Sequence, residues 1–343
     1  MNSVVVMAFS SKGYALAERI AGALSNNGFN TNAHRVSKLR EFVPNVFIKG
    51  NILIFVGSAG IAVRGIAGLI KDKTTDPAVI VIDELGRYVI PILSGHIGGA
   101  NQFAEKLGEL IHAEPVITTA TDINKIFSVD TYAVQNKYTI VNPDCIKHIS
   151  GALLEGQEIG LHTPFEIYGK LPDNIVLKSN GNVGILISDL RDSEDAFPYN
   201  QTLKLMPKCF HVGIGARRNI PYDSLKDYFL ETLSGESIPL SCVGSVSSID
   251  LKKDEEAIIK LTETFGINFL TYPAEQLKLY EHQFEQSEFV RKTTGVGNIC
   301  ETAAYLSSKQ GDIIVGKRAG NGMTIAIAKE VWRVVFENID DGA

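Results

Sequence analysis

The sequence predicts an α/β protein: two mostly parallel α/β lobes with a small middle domain between them. Three observations point there. Strand-length apolar runs alternate with amphipathic helical stretches in both 1–137 and 208–343, a rhythm that builds a largely parallel sheet flanked by helices. Between them, 138–207 breaks the rhythm with closely spaced Gly and Pro. Finally, 343 residues exceed one ordinary hydrophobic core.

In the first lobe, Val4 to Phe9 is an apolar run of strand length, and Gly13 to Asn26 places Leu16, Ile20, Ala23 and Leu24 on one helical face. Asn27-Gly28 closes that helix. Ile52 to Val56, Ala78 to Ile82 and Tyr88 to Ile92 read as further strands, and Ile61 to Ile70 as a helix. A helix over Gly99 to His112 spaces Ala100, Phe103, Leu107, Leu110 and Ile111 for one face, and Pro115 to Thr118 returns as a strand. The middle segment carries one helix signal, Pro143 to Leu154, then short runs punctuated by Gly156, Gly160, Pro164, Gly169, Pro172, Gly181 and Gly184. That pattern suits a strand-rich insertion. In the last lobe, strands are predicted at Cys209 to Gly215, Ser241 to Val246, Ile267 to Leu270 and Met323 to Ala328. Helices are expected at Pro221 to Thr232, Asp254 to Phe265, from Ala274, and at Asn298 to Ser307.

Composition excludes several classes. Apolar and charged fractions of 45% and 21% are those of a globular chain rather than a disordered one. With Asp and Glu exceeding Lys and Arg for a net charge of −6, no nucleic-acid partner is expected. The N-terminal Met1 to Val6 reads as a first strand rather than a signal peptide, and no run approaches a membrane span, so a cytoplasmic, membrane-free protein is the expectation. Cys145, Cys209, Cys242 and Cys300 are widely separated, which predicts free thiols and no metal site.

Polar chemistry concentrates between Gly57 and Asp130. Gly57-Ser58-Ala59-Gly60 follows a strand and opens a helix, a backbone N–H arrangement suited to an anion, although no nucleotide fingerprint is present. Lys71-Asp72-Lys73-Thr74-Thr75-Asp76-Pro77 combines cations, hydroxyls and a carboxylate; Lys73 can hold a ligand carboxylate and Asp76 can act as acid or base. Leu93-Ser94-Gly95-His96-Ile97-Gly98-Gly99-Ala100-Asn101 crowds a hydroxyl, an imidazole and an amide around three glycines at a helix start. Ser94 and His96, two residues apart, are not read as a Ser–His triad, and helix capping is the plain alternative. Thr118, Thr119 and Asp122 leave the next strand, and Asp130 follows shortly after. In open α/β sheets ligands gather beyond strand carboxyl ends, so the clusters at Gly57, Asp83, Ser94 and Thr118 are expected to share one region. In the last lobe Gly213-Ile214-Gly215-Ala216 leads into Arg217 and Arg218, two guanidiniums able to clamp carboxylates.

These motifs, with Ile61-Ala62-Val63-Arg64 and Val116 to Asp122, resemble the cobalt-precorrin 5A hydrolases of anaerobic cobalamin biosynthesis, and the resemblance spans the chain. Asn298 to Ala304 matches that family's C-terminal run at Glu301. The resemblance implies a cobalt-containing contracted tetrapyrrole as substrate, whose ring A δ-lactone is opened by water with loss of acetaldehyde. No cofactor is implied, since the substrate carries the cobalt, and other enzymes of the pathway are possible partners. His96 or Asp76 would activate water, with Ser94 beside them, and N–H groups around Gly95, Gly98 and Gly99 would stabilise the oxyanion. Arg64, Lys73, Arg217 and Arg218 would grip the substrate carboxylates, and Gly57, Asn101, Thr118, Thr119, Asp122 and Glu301 would complete the binding surface. A non-catalytic tetrapyrrole carrier, or less well a phosphate-binding enzyme, are the competing readings.

Overall fold

The computed structural model describes residues 3–72, 75–96, 98–124, 126–189 and 198–336. By packing it divides into two units, Met1–Val134 with Leu153–Glu155, and Gln135–Ala152 with Gly156–Ala343.

The first unit is built on a six-stranded sheet. Its elements run β1 (Val4–Ala8), α1 (Ser11–Asn26), β2 (Thr31–Arg35), α2 (Leu39–Val46), β3 (Ile52–Val56), α3 (Ala59–Ile66), β4 (Ala78–Ile82), β5 (Tyr88–Leu93), α4 (Ala100–Ile111), β6 (Glu114–Pro115), α5 (Ala120–Ile123) and α6 (Val129–Gln135). The strand order is β2-β1-β3-β4-β5-β6. Alternation along each strand sorts the core onto two faces. Val4, Val6, Ile54, Val56, Ile80 and Ile82 pack with Ile20 and Leu24 of α1 and Phe103 and Leu107 of α4. Val5, Met7, Leu53, Phe55, Val79 and Val81 face the other way, onto Val43 of α2 and Ala62 and Ile66 of α3. Strands buried on both faces explain the unbroken apolar runs in the sequence.

All neighbours in this sheet are parallel except β4 and β5. Val79 pairs with Leu93 and Ile82 with Val89, so β5 runs back along β4. The connection is a turn closed by Asp83, whose carboxylate accepts N–H bonds from Leu85, Arg87 and Tyr88. The shared carboxyl edge expected for the four polar clusters is therefore not formed. Gly57 and Asp83 lie at one edge, while Ser94 and the residues after β6 lie at the other, a strand length of about 17 Å away. The expected strand over 115–118 is shorter than predicted, because Asn101 engages Thr119 and α5 opens at Ala120. The helix expected over 61–70 is displaced to Ala59–Ile66.

The second unit contains two larger sheets. In the middle segment are β7 (Tyr138–Ile140), α7 (Ile146–Leu154), β8 (Ile159–His162), β9 (Glu166–Gly169), β10 (Ile175–Leu177), β11 (Gly181–Ile187) and β12 (Tyr199–Pro207). They form a sheet ordered β10-β8-β11-β12-β7. The glycines there have a packing reason: Cβ atoms on Gly160 and Gly184 would fall 2.3 and 2.5 Å from the buried Tyr199 ring. The rest comprises β13 (Phe210–Ala216), α8 (Tyr222–Gly235), β14 (Val243–Ile249), α9 (Glu256–Phe265), β15 (Asn268–Tyr272), α10 (Ala274–Lys278), α11 (Glu288–Thr294), α12 (Cys300–Ser307), β16 (Asp312–Gly320), β17 (Met323–Lys329) and β18 (Arg333–Phe336). Its sheet is ordered β15-β14-β13-β17-β16, with β13, β14 and β15 parallel and β17 antiparallel to both neighbours. Strand β18 pairs with β9 of the middle segment. The chain is thus an α/β protein of mixed, mostly parallel sheets.

Candidate functional site

The reversed strand β5 creates the site. Because Leu93 lies opposite Val79, the loop before β4 and the loop after β5 meet at one sheet edge. Ser94, held at φ 55°, donates its hydroxyl to the Asp76 carbonyl at 3.0 Å. Asp76 is buried, and its carboxylate accepts N–H bonds from Lys71 at 2.9 Å and Asp72 at 3.1 Å. Those bonds make it the clasp of the 71–76 loop.

The glycine-rich turn that follows is held by its own backbone. The N–H of Gly99 donates to His96, that of Ala100 to Ser94, and that of Asn101 to Gly95. The Gly99 N–H is therefore committed within the turn. Two glycines are required by close approach. A Cβ on Gly98 would lie 2.4 Å from the Ser94 Cβ, and one on Gly95 would lie 2.8 Å from the Asn101 Oδ1. Asn101 is buried and donates its amide to the Thr119 hydroxyl at 3.0 Å, tying the start of α4 to the segment after β6.

His96 meets a residue that the sequence did not mark as a site group. Its Nδ1 lies 3.3 Å from both carboxylate oxygens of Asp130, the second residue of α6. Asp130 is buried and also accepts from the Ser128 hydroxyl at 2.7 Å and the Thr131 N–H at 3.1 Å. Burial pushes its pKa upward, but the bonds from His96, Ser128 and Thr131 outweigh that and lower it to about 2. A carboxylate ionised at neutral pH can only accept, so the His96 Nδ1 is the donor.

The first unit thus brings together Asp76, Ser94, Gly95, His96, Gly98, Gly99, Asn101 and Thr119, with Asp130 added. Gly57, φ 152°, and the exposed Arg64 of α3 belong to the opposite edge. Thr118 is exposed beside Thr119. Lys73 and the Asp122 side chain lie outside the described residues. In the second unit, Arg217 and Arg218 are exposed at the end of β13. Glu301 serves α12: its Oε2 accepts from the Asn298 amide at 2.5 Å and its Oε1 from the Lys317 N–H at 3.1 Å. Among the described residues no group of three or more His, Cys, Asp or Glu is placed to hold a metal ion. No helix of the described residues is long and apolar enough to cross a membrane.

Two family models match: cobalamin synthesis G N-terminal over residues 41–122 and cobalamin synthesis G C-terminus over 210–328. The chain is also 34% identical to the cobalt-precorrin-5A hydrolase of Salmonella typhimurium, over 95% of this chain and 97% of that one. The chain belongs to the cobalamin synthesis G family. A cobalt-precorrin-5A hydrolase of Priestia megaterium is 30% identical over 84% of this chain and 81% of its own length. A solved cobalamin biosynthesis protein G homologue from Sulfolobus solfataricus is similar at 23% identity and a TM-score of 0.41, covering 95% and 97% of the two chains. The N-terminal cobalamin synthesis G match contains Asp76, Ser94 to Asn101 and Thr118 to Asp122, and stops short of Asp130.

Proposed function

We propose that this chain is a cobalt-precorrin-5A hydrolase that opens the ring A δ-lactone and releases acetaldehyde, giving cobalt-precorrin-5B. The observation that carries the reading is the 34% identity to the Salmonella enzyme over nearly the whole of both chains. The chemistry of the first unit supports it. Water adds to the lactone acyl carbon, and the acyl–oxygen bond breaks, leaving the oxygen on C20. Cleavage of the bond from C20 to the macrocycle converts that oxygen to the carbonyl of acetaldehyde. The electron pair stays on the macrocycle, which takes up a proton.

Such a sequence needs a base for water, donors for the acyl oxyanion and an acid for the carbon centre. His96 is the group we assign to water activation, because it is the imidazole of the glycine-rich turn and its Nδ1 is held against the Asp130 carboxylate. Asp76, committed to the Lys71 and Asp72 N–H groups, holds the loop rather than the water. Gly95, Gly98 and Ser94 lie at the same sheet edge. Arg217 and Arg218 are assigned to the substrate's peripheral carboxylates, where guanidinium forks bind well. The cobalt enters and leaves with the substrate.

Turnover of cobalt-precorrin-5A in ¹⁸O-labelled water tests this. Acyl–oxygen cleavage places one label in the newly formed ring A carboxylate, and His96→Gln abolishes its appearance. A product without label excludes hydrolysis at the acyl carbon.

A further inference from the structure

We propose that Arg217 is the principal carboxylate clamp of the second unit, held ready for a peripheral carboxylate of the substrate by the glycine turn between β16 and β17. The inference rests on the reading above, in which the ligand is a cobalt-tetrapyrrole bearing carboxylate side chains.

The place follows from the topology. In the sheet β15-β14-β13-β17-β16, β13 has parallel β14 on one side and antiparallel β17 on the other. Val212 and Ile214 of β13 pack in the cluster that holds Leu225 and Phe229 of α8. Gly213 faces the other way, where a Cβ would fall 1.8 Å from the Cys300 carbonyl oxygen of α12. The carboxyl end of β13 thus lies between helices on opposite faces, where the strand order reverses. That is the position at which open α/β sheets take ligands.

Two cations at this edge are already neutralised. Lys252, just after β14, pairs with Glu255 at 2.9 Å, and Arg318, two residues from the end of β16, pairs with Glu236. Arg217 and Arg218 are exposed, and among the described residues neither has a carboxylate partner. In a chain of net charge −6, adjacent guanidiniums left uncompensated at such a point suit an anionic ligand.

The two arginines differ in how they are held. Arg217 donates its backbone N–H to the Gly322 carbonyl at 3.0 Å. Its stem lies along the same glycine: a Cβ on Gly322 would fall 3.0 Å from the Arg217 Cδ and 3.2 Å from its Nε. Gly322, φ 81°, follows Asn321, φ 52°, in the two-residue turn joining β16 to β17. Glycine there serves the turn and the arginine together. Beyond Arg218, the Asn219 N–H donates to Glu255 at 2.8 Å, so the loop backbone is anchored on both sides. A guanidinium whose stem is already placed loses less freedom on gripping a carboxylate, which favours Arg217 over Arg218.

The test supplies the full chain with cobalt-precorrin-5A under anaerobic conditions. Acetaldehyde release gives kcat and KM; if the chain binds the compound without turning it over, absorbance titration gives Kd in their place. Arg217→Ala is expected to raise KM about tenfold with kcat little changed, and Arg218→Ala about threefold or less. Arg217→Lys, which keeps the charge and loses the fork, is expected to fall between the parent and Arg217→Ala. Arg318→Ala removes a guanidinium that Glu236 already neutralises and is expected to leave KM unchanged. Gly322→Ala is expected to raise KM several-fold alone and not at all on top of Arg217→Ala, which separates a displaced arginine from a disturbed hairpin. Parental KM in Arg217→Ala overturns the inference while the hydrolase reading stands. So does an equal loss in Arg217→Ala and Arg218→Ala, or a Gly322→Ala effect that adds fully to that of Arg217→Ala. A parent chain that binds without releasing acetaldehyde overturns the hydrolase reading, and the order of Kd values across the variants then decides the inference. A parent chain that does not bind overturns both.

Discussion

The Ser94 hydroxyl donates to the backbone carbonyl of Asp76 at 3.0 Å, joining two loops 18 residues apart. That bond marks the place where the reversed strand β5 delivers the glycine-rich turn to the loop before β4. Around it stand the residues assigned to catalysis, each held by a neighbour that can be removed separately.

The tightest of these restraints is steric. Gly98→Ala would bring a methyl group to 2.4 Å from the Ser94 Cβ and 2.8 Å from its carbonyl oxygen, neither of which can yield without moving the turn. Overpacking of this kind costs about 1–3 kcal/mol. Urea unfolding is expected to show that loss, together with reduced turnover. Gly68→Ala, with nothing within 4 Å of its new methyl, is the control and should stay within about 0.5 kcal/mol of the parent.

Asp76 separates a structural carboxylate from a catalytic one. Its bonds to the Lys71 and Asp72 N–H groups predict that Asp76→Ala loses about 1.5–3 kcal/mol of stability. Asp76→Asn keeps an acceptor oxygen, so turnover is expected to fall only several-fold. A drop on the order of 100-fold in a stably folded Asp76→Asn would make Asp76 the base instead.

Acid stability carries the signature of Asp130. Its folded pKa of about 2 lies below the ordinary 3.8, so the charged form is the one stabilised by folding. The contribution is present above the ordinary value and is lost as pH falls from 3.8 towards 2. Its size at neutral pH is about 2 kcal/mol. Asp130→Asn should therefore be less stable than the parent at neutral pH, with the gap closing in acid. Unfolding midpoints measured between these limits check this; a gap that widens in acid contradicts it.

Much of this was legible beforehand, and the failures have physical causes. Strands such as Ile52–Val56 and Ala78–Ile82 fall where their apolar runs predict, because burial on both sheet faces leaves no polar position. Strand β2, Thr31–Arg35, is an edge strand with polar side chains and gives no such signal. Helix α2 hides behind an internal Pro44. The direction of β5 is written in the length of its connection. Only residues 83–87 separate it from β4, and a parallel crossover needs a dozen or more. The reversal separates Gly57 from Ser94, which strand alternation alone puts at one edge. The pairing of His96 with Asp130 had no local sign, since the two meet only when α6 packs at the same edge.

In the second unit, Arg217 and Arg218 are exposed at a strand end, so their replacement by alanine should leave stability within about 0.5 kcal/mol. As carboxylate clamps for the substrate, they predict a KM raised by about tenfold or more in the double variant, with kcat little changed. Steady-state kinetics read both. An unchanged KM removes the two guanidiniums from substrate binding.

The most direct test of hydrolase activity is acetaldehyde release from the purified chain given cobalt-precorrin-5A under anaerobic conditions. Stoichiometric acetaldehyde, appearing as the lactone disappears, is the predicted result. Binding of the cobalt-tetrapyrrole with the lactone intact and no acetaldehyde would contradict it and identify a carrier.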